Sequence, residues 1–287
     1  GTIYVSPEED VRETFAANLR ATEKWEQETE SLPEETSTAD GVRILIQANI
    51  NISHDVKTAR AYHAEGIGLY RSEFPFIVRN DFPTEEEQYR IYRRVIASMG
   101  REEAVLRTLD IGGDKLLAQP DLAESNPFLG FRGIRFSLGN QDLFRDQLRA
   151  MLRAGRDVTL KILLPMISSL DEFIASREVL ETCLADLEEE GVPHNASPLL
   201  GAMVELPSAV EAIEGLSREA DFLSVGTNDL VMYMLAVDRT NDRIGSMYKD
   251  YHPAVLRALE RIASTAARYN TPVSMCGDAA ADPVMLD

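Results

Sequence analysis

Short, nearly unbroken apolar runs recur along this chain. Longer stretches separate them, in which apolar residues return every third or fourth position. The runs lie at 42–50 (VRILIQANI), 66–73 (GIGLYRSE), 104–112 (AVLRTLDIG), 160–167 (LKILLPMI), 199–207 (LLGAMVELP), 221–229 (DFLSVGTND) and 271–278 (TPVSMCGD). Continuous apolar runs predict strands buried on both faces, and the intervening periodicity predicts helices with one apolar stripe. Such stripes are carried by Phe173, Leu180, Leu184 and Leu187, and again by Val255, Leu259, Ile262 and Ala266. Strand–helix alternation predicts a parallel sheet covered by helices. Seven such strands predict an α/β fold of the TIM-type (β/α)8 class, stopping at Asp287 before an eighth strand.

The opening residues follow a different pattern. Residues 6–31 predict one exposed helix, with Ser6 as cap, Pro7 in the first turn and Glu8 and Glu9 beside the positive helix terminus. Residues 32–40 (LPEETSTAD) predict a linker by composition. The expected division is therefore 1–40, a linker helix and tail, and 41–287, a barrel domain that is incomplete at its C-terminus.

A hydrophobic fraction of 44% over 287 residues supports a sizeable core. The net charge of −19 argues against nucleic acid or an acidic membrane as partner. The two cysteines, Cys183 and Cys276, do not make a disulfide framework, and a reducing cytoplasm is the expected location. No apolar run reaches membrane-spanning length.

Polar chemistry changes the picture most, because it collects where the strands end. Arg71 and Glu73 end the second run. Arg107 and Asp110 lie in the third, followed by GGDK with Lys115. Glu205 ends the fifth, Asn228 and Asp229 the sixth, and Cys276 the seventh. In a parallel barrel these ends converge on one mouth. The apolar run after Asp229 predicts a helix or loop that returns Arg239 to the same rim. Glu205 and Asp229 are hard oxygen donors suited to Mg²⁺. Arg71, Arg107, Arg239 and Lys115 suit a small, multiply anionic substrate and a moving phosphoryl group. Cys276 is placed as a proton donor or a nucleophile. Taken singly, each has a bland alternative: an arginine paired with a surface acid, a turn, a loop glutamate, an inert buried thiol. The conjunction at successive strand ends favours chemistry.

The histidines do not join this set. His54 is expected to cap a helix, His63 to lie on one, His194 in a loop and His252 before Pro253; none sits in a phospho-acceptor turn.

The motifs GIGLYRSEF, RTLDIGGDK, NPFLGFRGIR, LPMI, MVELP, SVGTNDL, LAVDRTND and MCGD, in order from about residue 42, resemble the phosphoenolpyruvate-binding barrel of the phosphoenolpyruvate–protein phosphotransferases. These are the Enzyme I proteins of the bacterial phosphotransferase system. The wording of LYRSEFPF and FRGIRFSL is most similar to the nitrogen-related branch. The resemblance implies that Arg71, Arg107 and Arg239, helped by Lys115, Arg132 and Asn228, hold phosphoenolpyruvate. It implies that Glu205 and Asp229 bind Mg²⁺, and that Cys276 protonates the methylene carbon to give pyruvate. It also implies a phosphoryl acceptor histidine on a separate domain, then a small histidine-containing carrier protein, and a homodimer. On that footing this chain alone is expected to bind substrate without turning it over. Two rival readings share the architecture: half of a pyruvate phosphate dikinase or phosphoenolpyruvate synthase, and a non-catalytic sensing and dimerisation module.

Overall fold

The computed structural model describes residues 9, 11–16, 19, 35–79, 81–99, 103–112, 124, 126–282 and 285. Residues 11–16 are helical; most of the predicted 6–31 helix, with Ser6 and Pro7, lies outside the described residues, as does Lys115.

Seven parallel strands form one sheet in strict chain order: β3 (Ala48–Ile50), β4 (Ile67–Arg71), β5 (Glu103–Arg107), β6 (Thr159–Leu164), β7 (Leu199–Val204), β8 (Phe222–Gly226) and β9 (Val273–Cys276). Every neighbouring pair is parallel. Sequential order follows from right-handed strand–helix–strand connections, each of which adds one strand beside the last. Among the described residues β3 and β9 are the two edges, so the fold is the expected α/β barrel type with seven strands in place.

The first predicted strand is not one element. Its front half, β2 (Arg43–Ile44), pairs antiparallel with β1 (Thr36–Ser37), inside the stretch expected to be a plain linker. A turn closes this hairpin through the Gly41 N–H donating to the Thr38 carbonyl at 2.9 Å, with Gly41 at φ 87°. Leu45 and Ile46 follow, exposed, before β3 joins the main sheet. The Glu65 carboxylate decides the break, because it accepts from the Ile46 N–H at 3.1 Å and pairs with Arg43.

Two apolar layers hold the sheet. The larger packs its outer face against helices that include Glu85–Met99, Gln141–Ala154, Leu170–Glu189 and Pro253–Tyr269. Phe173, Leu180, Leu187, Ile262 and Ala266 are buried there, Leu184 and Leu259 pack against them half-buried, and Val255 is buried too, so both predicted stripes face inward. The smaller layer fills the inside of the curl with Leu69, Val105, Leu163, Met203 and Phe222. Phe222 fits because Gly201 faces it; a Cβ on Gly201 would lie 2.5 Å from the ring. Below this layer Lys161 pairs with Glu103 at 2.6 Å.

His54 does not cap its helix. It lies at the N-terminus of the helix Asp55–Ala61 with helical backbone angles and no side-chain cap bond. The Asp55 carboxylate instead accepts from the Asn51 and Ile52 N–H groups at 2.8 and 3.0 Å. His252 is the capping histidine, its Nδ1 accepting from the Ala254 N–H at 3.2 Å. Cys183 and Cys276 are both free thiols. Among the described residues no helix is long and apolar enough to cross a membrane.

Candidate functional site

Strand parity builds the site. Alternate residues of a strand share a face, so the residue two positions beyond each inward apolar side chain emerges at the mouth. Leu69 is followed by Arg71, Val105 by Arg107 and Met203 by Glu205, while Phe222 and Ser224 lead to Gly226 and Ser274 leads to Cys276. A cavity of about 320 Å³ opens there, lined among others by Arg71, Glu73, Arg107, Asp110, Arg132, Glu205, Asn228, Asp229, Arg239 and Cys276. Every site residue expected from sequence lies on this cavity, apart from Lys115, which is outside the described residues.

The helix Thr227–Leu235 starts directly on β8 and carries Asn228 and Asp229 in its first turn. Ala236, in the left-handed conformation at φ 53°, ends that helix. The chain then turns back through Val237 and Asp238, and Arg239 reaches the rim, where it lies 3.3 Å from Asp278. Next to Asp278, Gly277 has φ 100°, and its turn is tied to the first turn of the helix Thr227–Leu235. Thr227 Oγ1 donates to the Cys276 carbonyl at 2.9 Å, and Asn228 Oδ1 accepts from the Asp278 N–H at 2.8 Å.

Inside, guanidinium and carboxylate groups alternate. Arg107 Nη2 donates to Glu73 Oε1 at 2.6 Å, and Arg107 Nη1 lies 3.4 Å from Asp110. Arg132 donates to Asp110 through Nε and Nη2 at 2.9–3.1 Å and reaches Asp229 at 3.7 Å. Burial opposes the charge on Arg107, yet Glu73, Asp110 and Glu205 outweigh it and raise its pKa further. Arg107 Nε is buried with no hydrogen-bond partner. A buried donor left unpaired is costly and calls for a ligand or water.

Glu205 is the most perturbed carboxyl group among the described residues. It is 1% exposed. Burial, then the charges of Asp229 and Asp110, push its carboxyl up to about 8, against the opposing pull of Arg107. A buried carboxyl beside two others is crowded by like charge, which a divalent cation would relieve. Among the described residues no three His, Cys, Asp or Glu side chains form a complete metal cage. Mg²⁺ does not demand one, since it is commonly bound by one or two carboxylates plus water and substrate oxygens. Glu205 and Asp229 therefore fit the expected ion.

Burial likewise pushes the Cys276 thiol up, partly offset by the hydroxyl of Ser224 at 3.8 Å and by Arg107 and Arg71. A raised thiol keeps its proton near neutral pH, which suits a donor better than a nucleophile.

Glu73 and Asp110 stand at strand ends in the sequence but have no role assigned from it. Tyr233, whose hydroxyl donates to the Phe128 carbonyl and lies 3.4 Å from Arg132, is a further site residue. Tyr233 sits in an apolar run and carries no signal of its own. Glu73 has one: its place two residues beyond Arg71, in the turn that follows β4.

Comparison with known proteins bears on this geometry. Residues 25–287 match the family described as PEP-utilising enzyme, PEP-binding domain. Proteins named phosphoenolpyruvate-protein phosphotransferase from Geobacillus stearothermophilus and Priestia megaterium are each 42% identical, over 288 and 290 residues, covering 100% of this chain. In both cases the chain spans 50% of the relative's own length. Among solved structures, an HpcH/Hpal aldolase/citrate lyase family protein from Burkholderia cenocepacia aligns over 90% of this chain and 86% of its own. Its identity is 15% and its TM-score 0.49. With this match and these relatives, the chain belongs to the PEP-utilising enzyme family, through its PEP-binding domain.

Proposed function

We propose that this domain binds phosphoenolpyruvate with Mg²⁺ and donates its phosphoryl group to a histidine on a separate domain, releasing pyruvate. One observation carries the reading: a single cavity lined by four arginines, by the carboxyl groups of Glu205 and Asp229, and by the Cys276 thiol. Four guanidiniums face four carboxylates there, so the side chains alone give little net positive charge for a trianion. Glu205 and Asp229 would hold Mg²⁺, which supplies the charge that phosphate and carboxylate oxygens require.

The arginines then bind and orient. Arg107 and Arg132, buried and held by acids, are a fixed wall against which phosphate or carboxylate oxygens dock. Arg71 and Arg239 are more accessible and complete the grip from the rim. As the bond between the enol oxygen and phosphorus breaks, negative charge passes to the enolate oxygen, and fixed guanidiniums stabilise it. The enolate's electron pair returns to the methylene carbon, which takes the proton of the Cys276 thiol and becomes the methyl group of pyruvate. The apolar floor of Leu69 and Met203 beside Cys276 shields that carbon from bulk water.

In the full-length protein the partners are the histidine-bearing domain, a small histidine-containing carrier and a second copy of the barrel. The names of the relatives support this over a dikinase half. The test is a calorimetric titration with phosphoenolpyruvate, with Mg²⁺ and then with EDTA. It is followed by addition of a histidine-bearing domain in trans, with pyruvate as readout. Saturable, Mg²⁺-dependent binding and pyruvate release support the proposal. No binding by the folded chain rejects it, and binding without transfer leaves a sensing module.

A further inference from the structure

We propose that Glu73 is a positioning residue for the phosphoryl-transfer site, setting the orientation of Arg107 directly and of Arg132 through Asp110. The proposal rests on the phosphoenolpyruvate reading for its functional consequence.

An anion-binding cavity has no direct use for a buried carboxylate that holds no cation, since it repels the ligand. Glu73 nevertheless lines this cavity and is 6% exposed. Its Oε1 accepts twice: from Arg107 Nη2 at 2.6 Å and from the Asp110 backbone N–H at 3.2 Å. The first bond aims a guanidinium. The second fixes the backbone that carries the Asp110 carboxylate, which in turn holds Arg132 at 2.9 Å. One oxygen atom thereby ties the end of β4 to the end of β5 and indirectly to the segment bearing Arg132. Arg71, the last residue of β4, lies only two positions before Glu73 in the chain. Arg107 depends on this contact for direction. Its Nε is unpaired, its Nη1 lies 3.9 Å from Met203 Sδ and 3.4 Å from Asp110, and its single short bond is to Glu73. A charge-assisted bond of that length fixes a long side chain that would otherwise sample several rotamers.

Three variants separate geometry from charge. Glu73→Ala removes both bonds. Glu73→Gln keeps an oxygen at the same place and loses the charge. Glu73→Asp keeps the charge and withdraws it by one methylene. Two readouts are taken on the full chain: Mg²⁺-dependent phosphoenolpyruvate affinity, and the Nε–H resonance of Arg107, assigned by its loss in Arg107→Lys. The expected result is a loss of affinity of roughly tenfold or more in Glu73→Ala. Its Arg107 resonance should shift or broaden, and Glu73→Gln should recover most of both. If Glu73→Ala does not fold, Glu73→Asp should bind more weakly than Glu73→Gln. Wild-type affinity in a folded Glu73→Ala or in Glu73→Asp, with an unmoved resonance, overturns the proposal. If the wild type fails to bind phosphoenolpyruvate but the resonance still responds to Glu73→Ala, the positioning role stands and the ligand assignment falls. An unresponsive resonance in that case removes both.

Discussion

The backbone N–H of Met166 donates to Glu205 Oε1 at 2.6 Å, and Met166 itself stands at φ 59°, in the left-handed region that side chains other than glycine avoid. The chain just past β6 thus grips the acid just past β7. The other oxygen of Glu205 lies beside Gly226, where a Cβ would sit 2.8 Å from it. Glu205 is pinned on one side and closely approached on the other, so its position is set before any ligand arrives.

Its titration follows. The folded-state pKa of Glu205, about 8, lies above its ordinary value of 4.5. The folded protein therefore binds more protons than the unfolded chain between those values. The contribution of Glu205 is most favourable below pH 4.5 and is lost as pH rises toward 8. Urea denaturation of the metal-free protein from pH 5.5 to 8.5 should show this component of stability falling with pH. Glu205→Gln should flatten it, and so should saturating Mg²⁺ if the ion sits at Glu205. An identical pH slope in Glu205→Gln would show that the raised carboxyl lies elsewhere.

Arg239 and Arg107 should fail in different ways. Arg239 is exposed and its ion pair to Asp278 is at the surface. Arg239→Ala should cost less than about 0.5 kcal/mol of stability and yet abolish phosphoenolpyruvate binding. Arg107 is buried between acids, and Arg107→Ala should cost about 3–5 kcal/mol because those carboxylates lose their counter-charge. Paired unfolding and calorimetry curves test the contrast. Near-normal affinity in Arg239→Ala would remove that residue from the site.

Gly277 tests the seam between β8 and β9. Its φ of 100° disfavours any side chain, and an added Cβ would lie 2.3 Å from Thr227 Oγ1 and 2.8 Å from Asn228 Oδ1. Gly277→Ala should destabilise by about 1–3 kcal/mol and weaken ligand binding, because Asn228 and the rim at Asp278 share that seam. Unchanged unfolding and binding would contradict the turn.

The two thiols should differ in reactivity. Cys183 is fully buried and pushed up to about 11 by burial, whereas Cys276 opens on the cavity with its thiol also raised. Alkylation by iodoacetamide, read by mass spectrometry, should be slow at pH 7 for both. It should accelerate with rising pH at Cys276 first, and phosphoenolpyruvate with Mg²⁺ should protect that position. Fast labelling of Cys276 at pH 7 would mark it as a thiolate and end its role as proton donor.

The sequence by itself determined the periodic frame. Apolar runs fix where parallel strands form, because a strand covered on both faces carries few polar residues along its length. Strand ends are where that demand stops, so Arg71, Arg107, Glu205, Asn228, Asp229 and Cys276 stood out as interruptions of a buried pattern. The shared parity of Arg71 with Leu69, of Arg107 with Val105 and of Glu205 with Met203 is also written in the chain. Tertiary structure alone decided the rest. Whether residues 42–50 make one strand or two depended on Glu65, nineteen positions away from the Ile46 N–H it captures. That Glu73 faces Arg107, and that Asp110 turns to Arg132, depends on β4 and β5 lying side by side with the loop bearing Arg132 across them. The raised carboxyl of Glu205 depends on its burial in the curled sheet, and then on Asp229 and Asp110 arriving from other strand ends. Local pattern follows from burial of one segment's own faces. Pairings and pKa values follow from distances between segments, which exist only once the sheet has curled.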